Sequence, residues 1–202
     1  MTFRTTISPA LSSEVAIDHG HRIVMMGSCF SDNIGERLRQ ELFEVEVNPF
    51  GTLYNPASIA CGIGAILKCR QYSIDDLFQE KGDNRWHSFS HHSEYSSVDS
   101  QLMLEKINQR VCEANKMLQR ASTLIVTFGT AWVYKYAPTG KVVANCHKLP
   151  ASMFERSMMS IDEIVAMWKD VIADVKAINQ SIQVIFTVSP IRHLRDGAHE
   201  NQ

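Results

Sequence analysis

No stretch of the 202 residues approaches the roughly 18 consecutive apolar residues that a membrane-spanning helix requires. Residues 1–14 hold no apolar core followed by a small-residue cleavage pattern, so no secretory leader is expected. An excess of either charge is missing too: 20 Lys and Arg stand against 22 Asp and Glu, a net charge of −2. Nothing there favours a nucleic-acid partner or an anionic membrane surface, and neither is expected. No segment recurs at a fixed period, which argues against a repeat array. No Cys-x-x-Cys pair occurs. The five cysteines (Cys29, Cys61, Cys69, Cys112 and Cys146) are odd in number and irregular in spacing. Free thiols in a reducing cytoplasm are therefore expected, not a disulfide framework.

What is present is an ordinary globular composition, 45% hydrophobic and 21% charged. Disorder is not expected. The length suits one domain, 1–202, with a sizeable core. RIVMMG at 22–27 reads as a buried strand. A helical pattern follows it, with Ile34, Leu38 and Leu42 on one face and Ser31 or Asp32 as cap. Val45–Val47 is a second strand, followed by the turn-rich loop NPFGTLYNP at 48–56. Pro56 is expected to open a helix running to about Gln71. Residues 83–100 read as a polar, irregular insertion. Leu102 to Ala121 is helical, with Ile107, Val111, Ala114 and Leu118 aligned. STLIVTF at 122–128 is another apolar strand. Residues 132–136 and 141–144 flank APTG as a hairpin. Ser160 and Glu163 form a capping box for a helix to about Asn179, and 182–188 is the last strand.

Apolar strands alternating with amphipathic helices predict an α/β fold on a mainly parallel sheet. Ligands of such sheets bind beyond the carboxyl ends of the strands. Those ends are Gly27-Ser28-Cys29, Asn48–Gly51, Gly129-Thr130 and Ser189-Pro190, and they gather most of the unusual residues. A side chain on a strand-to-helix turn is held out over the sheet edge. The helix N-terminus supplies partial positive charge and free N–H groups, which favour a thiolate and can hold an oxyanion. Cys29 and Ser28 are the two candidates for a nucleophile there. A buried small apolar Cys and a capping Ser are the plainer readings of the same residues.

GSCFS at 27–31 resembles the signature that names the GSCFA-domain family. NPFGTLYNP at 48–56, RWHSF at 85–89, TFGTAWVY at 127–134, NCHK at 145–148 and SPIRH at 189–193 resemble its other blocks, in order. The resemblance spans the chain from about residue 20. It implies a fold similar to that of the SGNH (GDSL-like) hydrolases, a flavodoxin-like three-layer α/β architecture. Aligned on their Gly-Asp-Ser block, Gly27 matches the Gly and Cys29 the nucleophile, with Ser28 one residue out of register. The resemblance also implies Gly51 as an oxyanion-hole residue and Gly129-Thr130 as the start of the Gly-x-Asn-Asp block. Ala131 stands where that block has Asn. The Thr130 hydroxyl and Asn145 are the substitutes on offer.

A general base is still required, by the same resemblance an Asp-x-x-His near the C-terminus. Asp196 and His199 have that spacing. Only five residues separate Pro190 from Asp196, too few for the crossover to another parallel strand. The favoured expectation is therefore a domain cut before its last helix and strand, with an exposed apolar sheet edge and a base beyond Gln202. His147, after the hairpin, either lines a substrate pocket with Asn145 or bonds a neighbouring loop. His87, His91, His92, Cys146 and His147 offer metal-ligand types, but His91 and His92 are adjacent in a Ser-rich loop, poor geometry for one ion. The expected reading is a solvated loop, no metal and no cofactor. Trp132, Tyr134 and Tyr136 could stack on a sugar or acyl group, or pack across strands.

The expected function is a hydrolase or acyltransferase acting on an ester or thioester of a small or acylated molecule, carbohydrates included. The alternative is a non-catalytic ligand-binding module on the same fold. The sequence carries no sign of the oligomeric state.

Overall fold

The computed structural model describes residues 16–80 and 82–189. Four strands form one parallel sheet: β1 (Arg22–Gly27), β2 (Glu44–Val47), β5 (Thr123–Phe128) and β9 (Gln183–Val188), in the order β2-β1-β5-β9. Each central strand is apolar on both faces because both faces are covered. Ile23, Met25, Val45 and Val47 pack with Ile34 and Leu38 of helix α1 (Cys29–Gln40) on one side. Val24, Met26, Leu124 and Val126 form the core on the other side, under helices α2 (Pro56–Leu67), α3 (Ser100–Leu118) and α4 (Ile161–Ile178). The chain is thus α/β, with helices on both faces of the sheet. Helix α2 is buried nearly all round, which fits a helix lying against both α3 and α4.

Local signals set most boundaries. Asn55 caps α2 and Pro56 is its first residue. The Ser160–Glu163 capping box opens α4, with Ser160 N–H donating to Glu163 Oε2 at 2.7 Å. Helix α1 begins earlier than its pattern suggested, with Ser28 as cap in place of Ser31 or Asp32. It also ends earlier. Leu42 takes a left-handed φ of 65° and is 85% exposed, so it leaves the apolar face.

Two small antiparallel sheets are added. Strand β3 (Phe78–Gln79) pairs with β4 (Trp86–His87). The APTG hairpin of β6 (Trp132–Tyr136) and β7 (Lys141–Val143) gains a third strand, β8 (Phe154–Met158), on the free side of β6. Among the described residues β9 pairs only with β5, and Val188 on it is 75% exposed.

The insertion is not a solvated loop. His87, Ser88, His91, Tyr95 and Ser96 are buried, and polar partners inside the segment make that burial affordable. Ser96 Oγ meets His87 Nδ1 at 2.8 Å and Ser88 Oγ meets His91 Nδ1 at 2.9 Å. His91 lies against the rings of Phe50, Tyr72 and Tyr95. The segment also grips its neighbours: His92 N–H donates to Phe50 O, Tyr95 Oη–H to Pro49 O and Ala144 N–H to Phe89 O.

Candidate functional site

The elbow lies at the carboxyl end of β1. Gly27 pairs with Thr127 of β5 and has a φ of 143°. A Cβ there would overlap the Thr127 backbone carbonyl, so only glycine allows β1 and β5 to approach this closely. Gly27 is also held from the β2 side. Its N–H donates to Asn48 Oδ1 at 2.8 Å, and its carbonyl accepts from Leu53 N–H at 2.9 Å. Asn48 adopts a left-handed φ of 42°, which asparagine tolerates better than most residues. Its Nδ2 donates to Asp32 Oδ1 at 2.6 Å, while Thr52 Oγ1 donates to Asp32 Oδ2 at 2.8 Å. The loop after β2 and the first turn of α1 are therefore fixed against each other.

The two candidate nucleophiles differ in environment. Ser28 is 2% exposed, and its hydroxyl caps α1 by accepting from Phe30 N–H at 3.3 Å. Cys29 is the first helical residue and is partly exposed. Its own N–H has no carbonyl acceptor within the helix, as for any residue at that position.

Beside the elbow lies a cleft of about 330 Å³ lined by Tyr54, Asn55, Thr130, Trp132, Tyr134, Val143, Ala144, Asn145, Cys146 and Arg156. Tyr54 joins the two. Burial pushes its phenol up, and the nearby Cys29 and Asp32 push it further. The Arg156 guanidinium lies 3.7 Å from the centre of the Trp132 ring. Burial also raises the Cys146 thiol.

The expected oxyanion donors point elsewhere in this arrangement. Gly51 N–H donates to Asn48 O at 2.7 Å. Gly129 and Thr130 N–H share the Tyr54 carbonyl at 2.8 and 3.1 Å, and Thr130 Oγ1 accepts from Trp132 N–H at 3.2 Å. An oxyanion would have to take these groups from those partners. Gly51 is itself buried beneath His92 and Glu94.

Asn145 lines the cleft, and its Oδ1 accepts from His147 N–H at 2.8 Å. His147 does not line it. Its ring is buried against His87 and Phe78, and Nε2–H donates to Ser88 O at 2.8 Å, so it serves the neighbouring loop. Burial holds His147 below the ordinary histidine range. Trp132 and Tyr134 face the cleft, whereas Tyr136 packs against Phe89 and Phe154. Among the described residues no cluster of three or more His, Cys, Asp or Glu could hold a metal ion, and no helix is long and apolar enough to cross a membrane. Asp196 and His199 lie outside the described residues.

Three contributors escaped the sequence reading. Asn48 and Tyr54 act in the elbow through a carboxamide and a main-chain carbonyl, and only Asn48, at a strand end, carried a signal. Arg156 arrives on β8, a strand with no clear apolar alternation.

Residues 22–202 match the profile of the GSCFA family. The chain belongs to the GSCFA family. The GSCFS block that resembles the family's signature is the elbow itself, and its Gly27 is the residue that a side chain would exclude. No curated protein and no solved structure matches the chain.

Proposed function

We propose that this GSCFA protein carries an SGNH-like acyl-transfer site, hydrolase or acyltransferase, with Cys29 as nucleophile. The observation that carries the reading is the position of Cys29. It is the partly exposed first residue of α1, at the carboxyl end of a central parallel strand and next to a cleft. The sheet order supports the flavodoxin-like layout, since β2-β1-β5-β9 matches the first four strands of the order 2-1-3-4-5. The Cys29 thiolate attacks the carbonyl carbon of an ester or thioester. The oxyanion forms at the helix N-terminus and collapses as the C–O or C–S bond breaks; the alcohol or thiol leaves with the proton that the base took from Cys29, and water or an acceptor hydroxyl then releases the acyl group. The cleft takes the remainder of a small or acylated molecule, with the Trp132 and Tyr134 rings, Asn145 and Arg156 as its lining. The rings and amide suit a sugar as well as an acyl chain. A histidine base completes this chemistry.

Turnover of short acyl esters and acyl thioesters tests the assignment. Cys29→Ala should abolish it. Ser28→Ala should retain most of it and lose about 1 kcal/mol of stability through the missing cap. Loss of turnover in Ser28→Ala with Cys29→Ala active would move the nucleophile to Ser28.

One observation favours a second reading, a ligand-binding module without turnover. The N–H groups of Gly51, Gly129 and Thr130 all donate within the protein. That reading predicts saturable binding and no covalent adduct. An acyl-enzyme seen by intact mass would exclude it.

A further inference from the structure

Segment 66–72 crosses the flank of α3, away from the elbow. Helix α2 ends there in a Schellman motif, with Cys69 N–H donating to Ile66 O and Arg70 N–H to Ala65 O, each at 2.9 Å. The motif places Cys69 in the left-handed region at φ 45°, where glycine is the residue that fits without steric penalty.

Three residues of α3 meet this segment in succession. Asn108 exchanges two hydrogen bonds with the Tyr72 main chain, at 2.7 and 2.9 Å. Asn115 Nδ2 donates to Ile66 O at 2.8 Å. Cys112 falls between them at spacings of four and three, on the same stripe of the helix. The stripe thus runs 108, 112, 115 against 72, 69, 66. The middle rung is Cys112 opposite Cys69: burial pushes the Cys69 thiol up, and the neighbouring Cys112 thiol pushes it further. Both are partly exposed, so a small oxidant can reach them.

We propose that Cys69 and Cys112 form a redox-sensitive thiol pair that closes to a disulfide on exposure to a peroxide or a low-molecular-weight disulfide, tying the end of α2 to the middle of α3. With hydrogen peroxide, one thiol is oxidised to a sulfenic acid and one water is released. The second sulfur attacks the first, the S–S bond forms, and the hydroxyl leaves as a second water. Two thiols and one peroxide thus give one disulfide and two waters, and two electrons pass from sulfur to oxygen. Closure needs the sulfurs at about 2.05 Å. The flanking bonds of Asn108 and Asn115 hold the two backbones in register throughout.

Treating the full chain with stoichiometric hydrogen peroxide, and separately with oxidised glutathione, tests this. Free thiols should fall from five to three. The intact mass should drop by two hydrogens, and trypsin should release residues 69–70 linked to residues 111–116. The linked peptide should come from monomeric chains at every protein concentration. Cys69→Ser and Cys112→Ser should each abolish the linked peptide, while Cys61→Ser should leave it. Five thiols that all stay free, a linkage between other cysteines, or a disulfide-linked dimer as the main product would overturn the proposal. The wild-type peptide map decides the matter even if a serine variant folds poorly.

Discussion

Gly27 and Gly51 show how much of the site rests on the absence of a side chain. Both have positive φ, 143° and 75°. A Cβ on Gly27 would enter the Thr127 carbonyl, and one on Gly51 would meet His92 and lie 2.7 Å from Glu94 Oε1. Neither neighbour can yield easily, because one is a sheet backbone and the other belongs to the packed insertion. Gly27→Ala and Gly51→Ala should each lower stability by about 2 kcal/mol or more, read as a shift of the urea midpoint. An unchanged midpoint in Gly27→Ala would show that β1 and β5 are not so close there. At this scale the sequence was informative where residues of chemical use fall at strand ends. Gly27 and the Ser28-Cys29 pair stood out for that reason, and Gly51 through the family resemblance. Main-chain bonds have no residue signature, so the capture of the Gly129 and Thr130 amides by the Tyr54 carbonyl was not legible.

The helices and sheet strands were legible as elements because burial on two faces writes continuous apolar runs and burial on one face writes a period near 3.6. All four sheet strands fell within a residue or two of their expected places. The failures have the opposite cause. Strand β8 is polar and owes its form to pairing with β6, and the insertion looks solvated because Ser and His are its commonest marks. Its burial depends on partners, and one can be removed cleanly. Tyr95 Oη–H donates to Pro49 O at 2.8 Å. Tyr95→Phe should lower stability by about 1 kcal/mol and speed amide exchange in residues 50–53, the loop that positions the elbow. Exchange accelerated only within 86–97 would show that the insertion does not brace that loop.

For the whole molecule the buried histidines set a dependence on pH. Burial, then the nearby His147 and Arg70, push His91 down to about 3. His147 is lowered as well, mainly by burial. The native state keeps these rings neutral where the unfolded chain protonates them near pH 6.5. Their stabilising effect is therefore complete above about 6.5 and is lost as pH falls below it, for His91 down to about 3. His91 alone contributes up to about 1.4 kcal/mol per pH unit in that window. Urea midpoints measured between pH 7 and 4 should fall accordingly, and His91→Phe should flatten the slope; an equal slope in wild type and variant would assign the effect to other groups. The pairing of β1 with β5 bears on how the molecule is made. Strand β1 finds β2 nearby, but its bond from Arg22 N–H to Ser122 Oγ joins residues 100 apart in the chain. Closing so long a loop is slow, and contacts of this kind delay folding. The elbow needs that closure, since Ser28 N–H donates to Thr127 O. During synthesis Cys29 is therefore translated early but positioned late. Until β5 has left the ribosome, the elbow that holds it cannot close.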